Sequence, residues 1–149
     1  MRRSLKTWNE EQGSSLIEFS LVALIFIVLL FGVVEMGRMV LVYTSIANAA
    51  RAGARYAIVH GADRTGSGVD GPSGPGSTTQ VQTVVQNFAS VGLLDTSKLT
   101  ITVSYANGLN SVGSPVSVTV TYPYDPLVTY FNSLLSTTMA TTSQGVIVF

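Results

Sequence analysis

One membrane-length stretch constrains this 149-residue chain more than anything else in it. From Ser14 to Val34 the sequence reads SSLIEFSLVALIFIVLLFGVV, 21 residues with no charge after Glu18. As a helix rising about 1.5 Å per residue it spans roughly 31 Å, close to the thickness of a bilayer's hydrocarbon core. A secretory signal would place its small-residue cleavage site after the apolar run. Here the small-residue junction, Gly13-Ser14, lies before it, and Val34 leads straight into Glu35-Met-Gly-Arg38. The apolar helix is therefore read as retained. Arg2, Arg3 and Lys6 precede it. Basic residues beside a span favour the cytoplasmic side, so the N-terminus is expected inside and the remainder outside.

Composition removes several function classes. Charged residues make up 11% of the chain and the formal net charge is zero, which leaves no basic stripe for nucleic acid. With no cysteine, neither a disulfide framework nor a thiolate metal site can form. Asp63 and Asp70 lie in a loop but lack the alternating acidic spacing and terminal glutamate of a calcium loop. His60 is the single histidine and stands beside Gly61. The sequence has no nucleophile elbow, phosphate-binding loop or paired-histidine zinc motif. No enzymatic activity, metal or cofactor is expected.

Glu18 is costly just inside an apolar run, and such residues are usually paired and functional. Gly13 followed by Ser14-Ser-Leu-Ile-Glu18-Phe19 resembles the cleavage motif of type IV prepilin-like proteins. Farther on, Glu35-Met-Gly-Arg38 and Asn48-Ala-Ala-Arg51-Ala-Gly53-Ala-Arg55-Tyr-Ala57 resemble the TadE-like branch, the minor pseudopilins of tight-adherence (Flp-type) pili. The resemblance implies that residues 1–13 are a leader removed by a prepilin peptidase between Gly13 and Ser14. Glu18, followed by Phe19, would then stand fifth in the mature chain. It also implies a single-pass protein of the bacterial cell membrane that takes part in pilus biogenesis. Its partners would be other pilins or pseudopilins, the assembly machinery, the peptidase and the bilayer. Ser14 departs from the pattern, because many pilins carry an apolar residue there.

Cleavage would leave an ammonium at Ser14, four residues from Glu18. In a stack of subunits the Glu18 carboxylate of one chain could meet the ammonium of its neighbour, offsetting the desolvation of both and fixing their register. The alternative is a carboxylate that reaches the headgroups from near the helix end. At the level of function, the alternative is an uncleaved single-pass anchor displaying an adhesive or ligand-binding domain.

The first proline is Pro72, so the apolar span at 14–35 can continue as helix through 36–60. Glu35 and Arg38, three apart, can pair. Ile46, Ala50, Gly53, Ala54 and Ala57 give a small-residue face, of the kind that lets helices approach closely. Asn48, Arg51 and Arg55 give a polar one. Like charges at i,i+4 mildly repel, so Arg51 and Arg55 suit a carboxylate, from the distal domain or from a partner subunit.

Residues 61–76 hold six glycines and two prolines and predict a flexible loop. Residues 77–149 predict a small α+β domain. Ser77 and Gln80 fit a capping box, and Val81, Val84, Val85 and Phe88 fit one face of an amphipathic helix ending near Gly92. Leu99–Tyr105 and Val116–Tyr122 alternate with period two and predict a hairpin. Leu127–Leu135 suggests a short helix or packed loop, and Thr137–Phe149 a third strand weakened at Gly145. The fold expected is pilin-like α+β: a long N-terminal membrane helix, then an antiparallel sheet of about three strands with one amphipathic helix. Because 73 residues make a marginal domain, the outer end of the long helix is expected to pack into it.

Overall fold

In the computed structural model, residues 7–92, 95–127 and 136–149 are described, with side chains from Gly13 onward except Val69. Helix α1 runs from Thr7 to Val59, 53 residues without a proline. The chain divides into two compact units between Arg38 and Met39.

The first unit is helix alone. From Leu16 to Val34 its large apolar side chains are 48–72% exposed. So much bare apolar surface does not persist in water. Among the described residues α1 is the one helix long and apolar enough to cross a bilayer, and it fits a membrane anchor. Ser20 satisfies its hydroxyl within the helix, donating to the Ile17 carbonyl at 2.8 Å, as a hydroxyl in lipid must.

The second unit is α+β. Helix α2, Thr79–Val91, precedes three strands: β1, Thr100–Tyr105; β2, Pro115–Tyr124; β3, Thr137–Val146. They form one antiparallel sheet in the order β1-β2-β3, with Val103 opposite Val118 and Val118 opposite Ser143. The alternation seen in sequence sets one face. Val116, Val118 and Val120 are buried beside Tyr105 and the half-buried Ile101, Val103 and Met139. The other face is lined with threonine and serine, and Thr119 and Thr142 bond across strands at 2.8 Å. Pro123 sits where β2 extends past the start of β1, so β2 there has one neighbour and an imino nitrogen is tolerated.

The outer part of α1 completes this core. Ile46, Ala49, Ala50, Ala54 and Ala57 are buried together with Val81, Val85 and Ala89 of α2. Gly53 lies where the three elements meet: a Cβ there would come within 3.3 Å of Val118 Cγ1 and press harder still on Val85. The small-residue face read from the sequence is thus a close-approach surface. Gly92 and Gly145 serve in the same way, against Ser45 and Ile58. Gly145 lies within β3, so it marks a helix contact and not the end of the strand.

Three expectations change. The capping box does not form: α2 starts at Thr79, with Thr78 as its N-cap, and the Ser77 hydroxyl bonds the Gln80 side chain at 3.2 Å. Gln80 in turn donates to the Gly68 carbonyl at 3.0 Å, so loop contacts take the groups a cap would use. Phe88 lies outside the core, which α2 reaches through Val81, Val85 and Ala89. The glycine-rich stretch 61–76 is pinned by buried polar groups. Ser73, fully buried, donates to the His60 carbonyl through its N–H at 2.6 Å and its hydroxyl at 3.0 Å. It accepts from the Tyr105 hydroxyl at 3.0 Å, and its carbonyl accepts from Asn110 at 3.0 Å. His60 itself stacks on Tyr56 with centroids 3.8 Å apart. Its Nδ1 meets the Tyr56 carbonyl at 2.8 Å; a carbonyl only accepts, so Nδ1 carries the proton. The helix or packed loop expected at Leu127–Leu135 falls, from residue 128 on, outside the described residues.

The chain's last residues close the unit. Gly113 and Ser114 exchange backbone bonds with Ile147, and Val148 N–H donates to the Ile58 carbonyl at 3.0 Å. That bond satisfies one of the carbonyls that the C-terminus of α1 leaves without a partner in the helix.

Candidate functional site

Three sets of residues were singled out by the sequence, and all lie on α1. Gly13, Ser14, Glu18 and Phe19 fall within two turns of its first unit. A Cβ at Gly13 would meet nothing within 4 Å, so packing does not demand glycine there. Glycine costs an exposed helix interior about 1 kcal/mol relative to alanine. Glu18 and Phe19 are exposed, Phe19 at 72%. Ser14 and Glu18, spaced i,i+4, share one helix face.

Glu35 and Arg38 pair as their spacing predicts, Nη1 to Oε1 at 3.4 Å. The Glu35 side chain is 12% exposed and that of Arg38 40%, so the acid is the covered member.

Arg51 and Arg55 stand on the exposed side of α1 in the second unit, one turn apart. The Arg51 guanidinium donates to Asn48 Oδ1 at 3.2 Å. Among the described residues neither arginine meets a carboxylate. With Ser45, Asn48 and Tyr56 they form one wall of an open groove of ≈ 790 Å³, whose other wall is Val84, Phe88 and Val91 of α2 with Gly92 just past its end. The sequence identified the cationic wall and missed the apolar one. Its signal was present: Val84, Phe88 and Val91, at i, i+4 and i+7, are a second apolar stripe beside the Val81–Val85–Ala89 stripe that the core uses.

Electrostatics elsewhere in the unit is local. Hydrogen bonds from the Ser97 hydroxyl and N–H hold the Asp95 carboxyl below its usual range. The bond to Asp125 at 2.9 Å raises the Lys98 ammonium. Burial pushes the Tyr105 phenol up, against the opposing effect of its bond to Ser73. Among the described residues no cluster of three or more histidine, aspartate or glutamate side chains could hold a metal ion.

Residues 13–55 match the family model described as TadE-like protein. No curated protein and no solved structure matches the chain. The match begins at the Gly13–Ser14 junction and ends at Arg55, so it covers the apolar span, the Glu35–Arg38 pair and most of the close-approach face, and stops short of α2 and the sheet. Over residues 13–55, the part of α1 that fits a membrane anchor and most of the part that enters the distal core, the chain is similar to the TadE-like family, as expected for a protein of tight-adherence pilus systems.

Proposed function

We propose that the chain is a minor pseudopilin in the biogenesis of a tight-adherence pilus, held in the cell membrane by α1 with its N-terminus cytoplasmic and its α+β unit outside. Prepilin peptidase cleaves it after Gly13, and Glu18 then pairs with the N-terminal ammonium of a neighbouring subunit. The observation that carries this reading is the TadE-like match over 13–55, which falls on a bare apolar helix with one carboxylate, Glu18, near the N-terminal end of the apolar run. The arrangement suits lateral assembly, because a charge desolvated in lipid is stabilised when a partner supplies its counter-ion.

The test is the intact mass of the membrane-extracted protein together with piliation of a deletion strain. Cleavage after Gly13 makes Ser14 the first residue, and loss of the chain reduces sheared filaments. Retention of residues 1–13 in cells with active prepilin peptidase would support the uncleaved anchor instead. Glu18→Gln should leave membrane insertion unchanged and lower co-purification with pilus components. Undiminished co-purification would remove Glu18 from the assembly role.

A further inference from the structure

Helix α2 carries two apolar stripes and spends only one on the core. The second is left open, with Phe88 55% and Val91 83% exposed. Facing it across the groove, α1 presents Arg51 and Arg55. The unit's own acids do not serve these cations. Its four carboxylates are Asp63, Asp70, Asp95 and Asp125, and none lines the groove. Asp95 is held by Ser97, and Asp125 binds Lys98.

We propose that this groove is the docking site for an amphipathic segment of a different protein, one that carries an aspartate or glutamate beside an aromatic or aliphatic side chain. The carboxylate lies between Arg51 and Arg55, whose planar guanidinium groups match it in bidentate fashion and whose mutual repulsion it relieves. The apolar side chain packs on Phe88 and Val91. A second copy of this chain is a poor occupant. Two copies meeting groove to groove about a twofold axis would oppose four guanidinium groups. The concave shape, with one cationic and one apolar wall, suits side chains projecting from a single rod better than a flat sheet of anionic headgroups. The identity of that partner as a pilus component rests on the function proposed above; the groove and its chemistry do not.

The experiment places p-benzoylphenylalanine at position 88 of the full chain, photo-cross-links it in the cells that carry it, and maps the captured peptide by mass spectrometry. An acidic segment of another protein is expected. Its yield should fall roughly tenfold or more in the Arg51→Glu, Arg55→Glu variant, as for a lost charge pair. Yield should fall less in Arg51→Lys, Arg55→Lys, which keeps the charge and loses the bidentate fork, and should be restored when the captured acid is changed to lysine opposite the two glutamates. An unchanged melting temperature shows that the variants fold. Capture of lipid alone, of a second copy of this chain, of a segment without an acid, or of nothing overturns the proposal, as does a yield indifferent to charge reversal. A failed cross-link beside an intact piliation defect on deletion removes the groove and leaves the pilus role. A charge-dependent cross-link in a strain whose filaments survive deletion does the reverse.

Discussion

Gly53 offers a sharp test of how the distal unit is packed. A Cβ at this position would lie 3.3 Å from Val118 Cγ1 and 3.5 Å from Val81 Cγ1, and its hardest contact is with Val85 Cγ2. Gly53→Ala brings two opposing effects. Alanine gains about 1 kcal/mol of helix propensity. Overpacking a filled core costs about 1–3 kcal/mol, and Val85 cannot swing aside cheaply because β-branched residues in helices hold one χ1 rotamer. The net loss should be about 1 kcal/mol, or roughly 4–8 °C in melting temperature for a unit of this size. Val85→Ala alone removes two methyl groups and leaves a void, costing about 2–3 kcal/mol. In that background the clash is gone, so Gly53→Ala should become stabilising by about 1 kcal/mol from propensity and by whatever it recovers of the void. The two substitutions should therefore couple by about 2 kcal/mol, within the range for residues in contact. The measurement is thermal unfolding of the full chain in detergent, followed by near-ultraviolet circular dichroism of the buried Tyr105 and Tyr124. If Gly53→Ala has the same sign and size in both backgrounds, the close approach of α1 to α2 is not what requires glycine.

Ser73→Ala leaves the Tyr105 hydroxyl without its acceptor and should cost about 1–3 kcal/mol; adding Tyr105→Phe should cost less than the two single effects combined, read from the same melts. The phenol of Tyr105 is raised by burial, so the folded state holds this proton more tightly than the unfolded state. Stability from this source is complete below the ordinary phenol range and falls as pH climbs above about 10. Tyr105→Phe should flatten that alkaline decline, and an unchanged slope would assign it to other groups. Deleting residues 43–59 removes Ile46, Ala50, Gly53, Ala54 and Ala57 from the core, so the remaining chain should show no cooperative melting transition.

Much of this architecture was legible because it follows from periodicity. The apolar span declares itself by length, the small-residue face by spacing, and β1 and β2 by strict alternation. The Glu35–Arg38 pair followed from i,i+3 geometry. What was not legible depends on contacts distant in sequence. Glycine content alone makes 61–76 look unstructured, yet a buried serine that meets His60, Tyr105 and Asn110 fixes it. Phe88 continues the helical repeat from Val81 and so shares its apolar face in sequence; that repeat also contains the Val85–Ala89 stripe, and only the position of α1 decides which stripe is covered. Arg51 and Arg55 were visible as a candidate site, while the apolar wall that turns them into a groove came from α2.

The three strands contain no aspartate, glutamate, lysine, arginine or histidine. Their pairing rests on backbone bonds, valine packing and neutral hydroxyls, none of which ionic screening weakens and none of which titrates in acid. A sheet made this way should hold the same register in fresh water, brine or a mildly acidic medium. The guanidinium groups of Arg51 and Arg55 lie outside that insulation. A rising salt concentration should loosen whatever they grip long before it disturbs the scaffold that presents them.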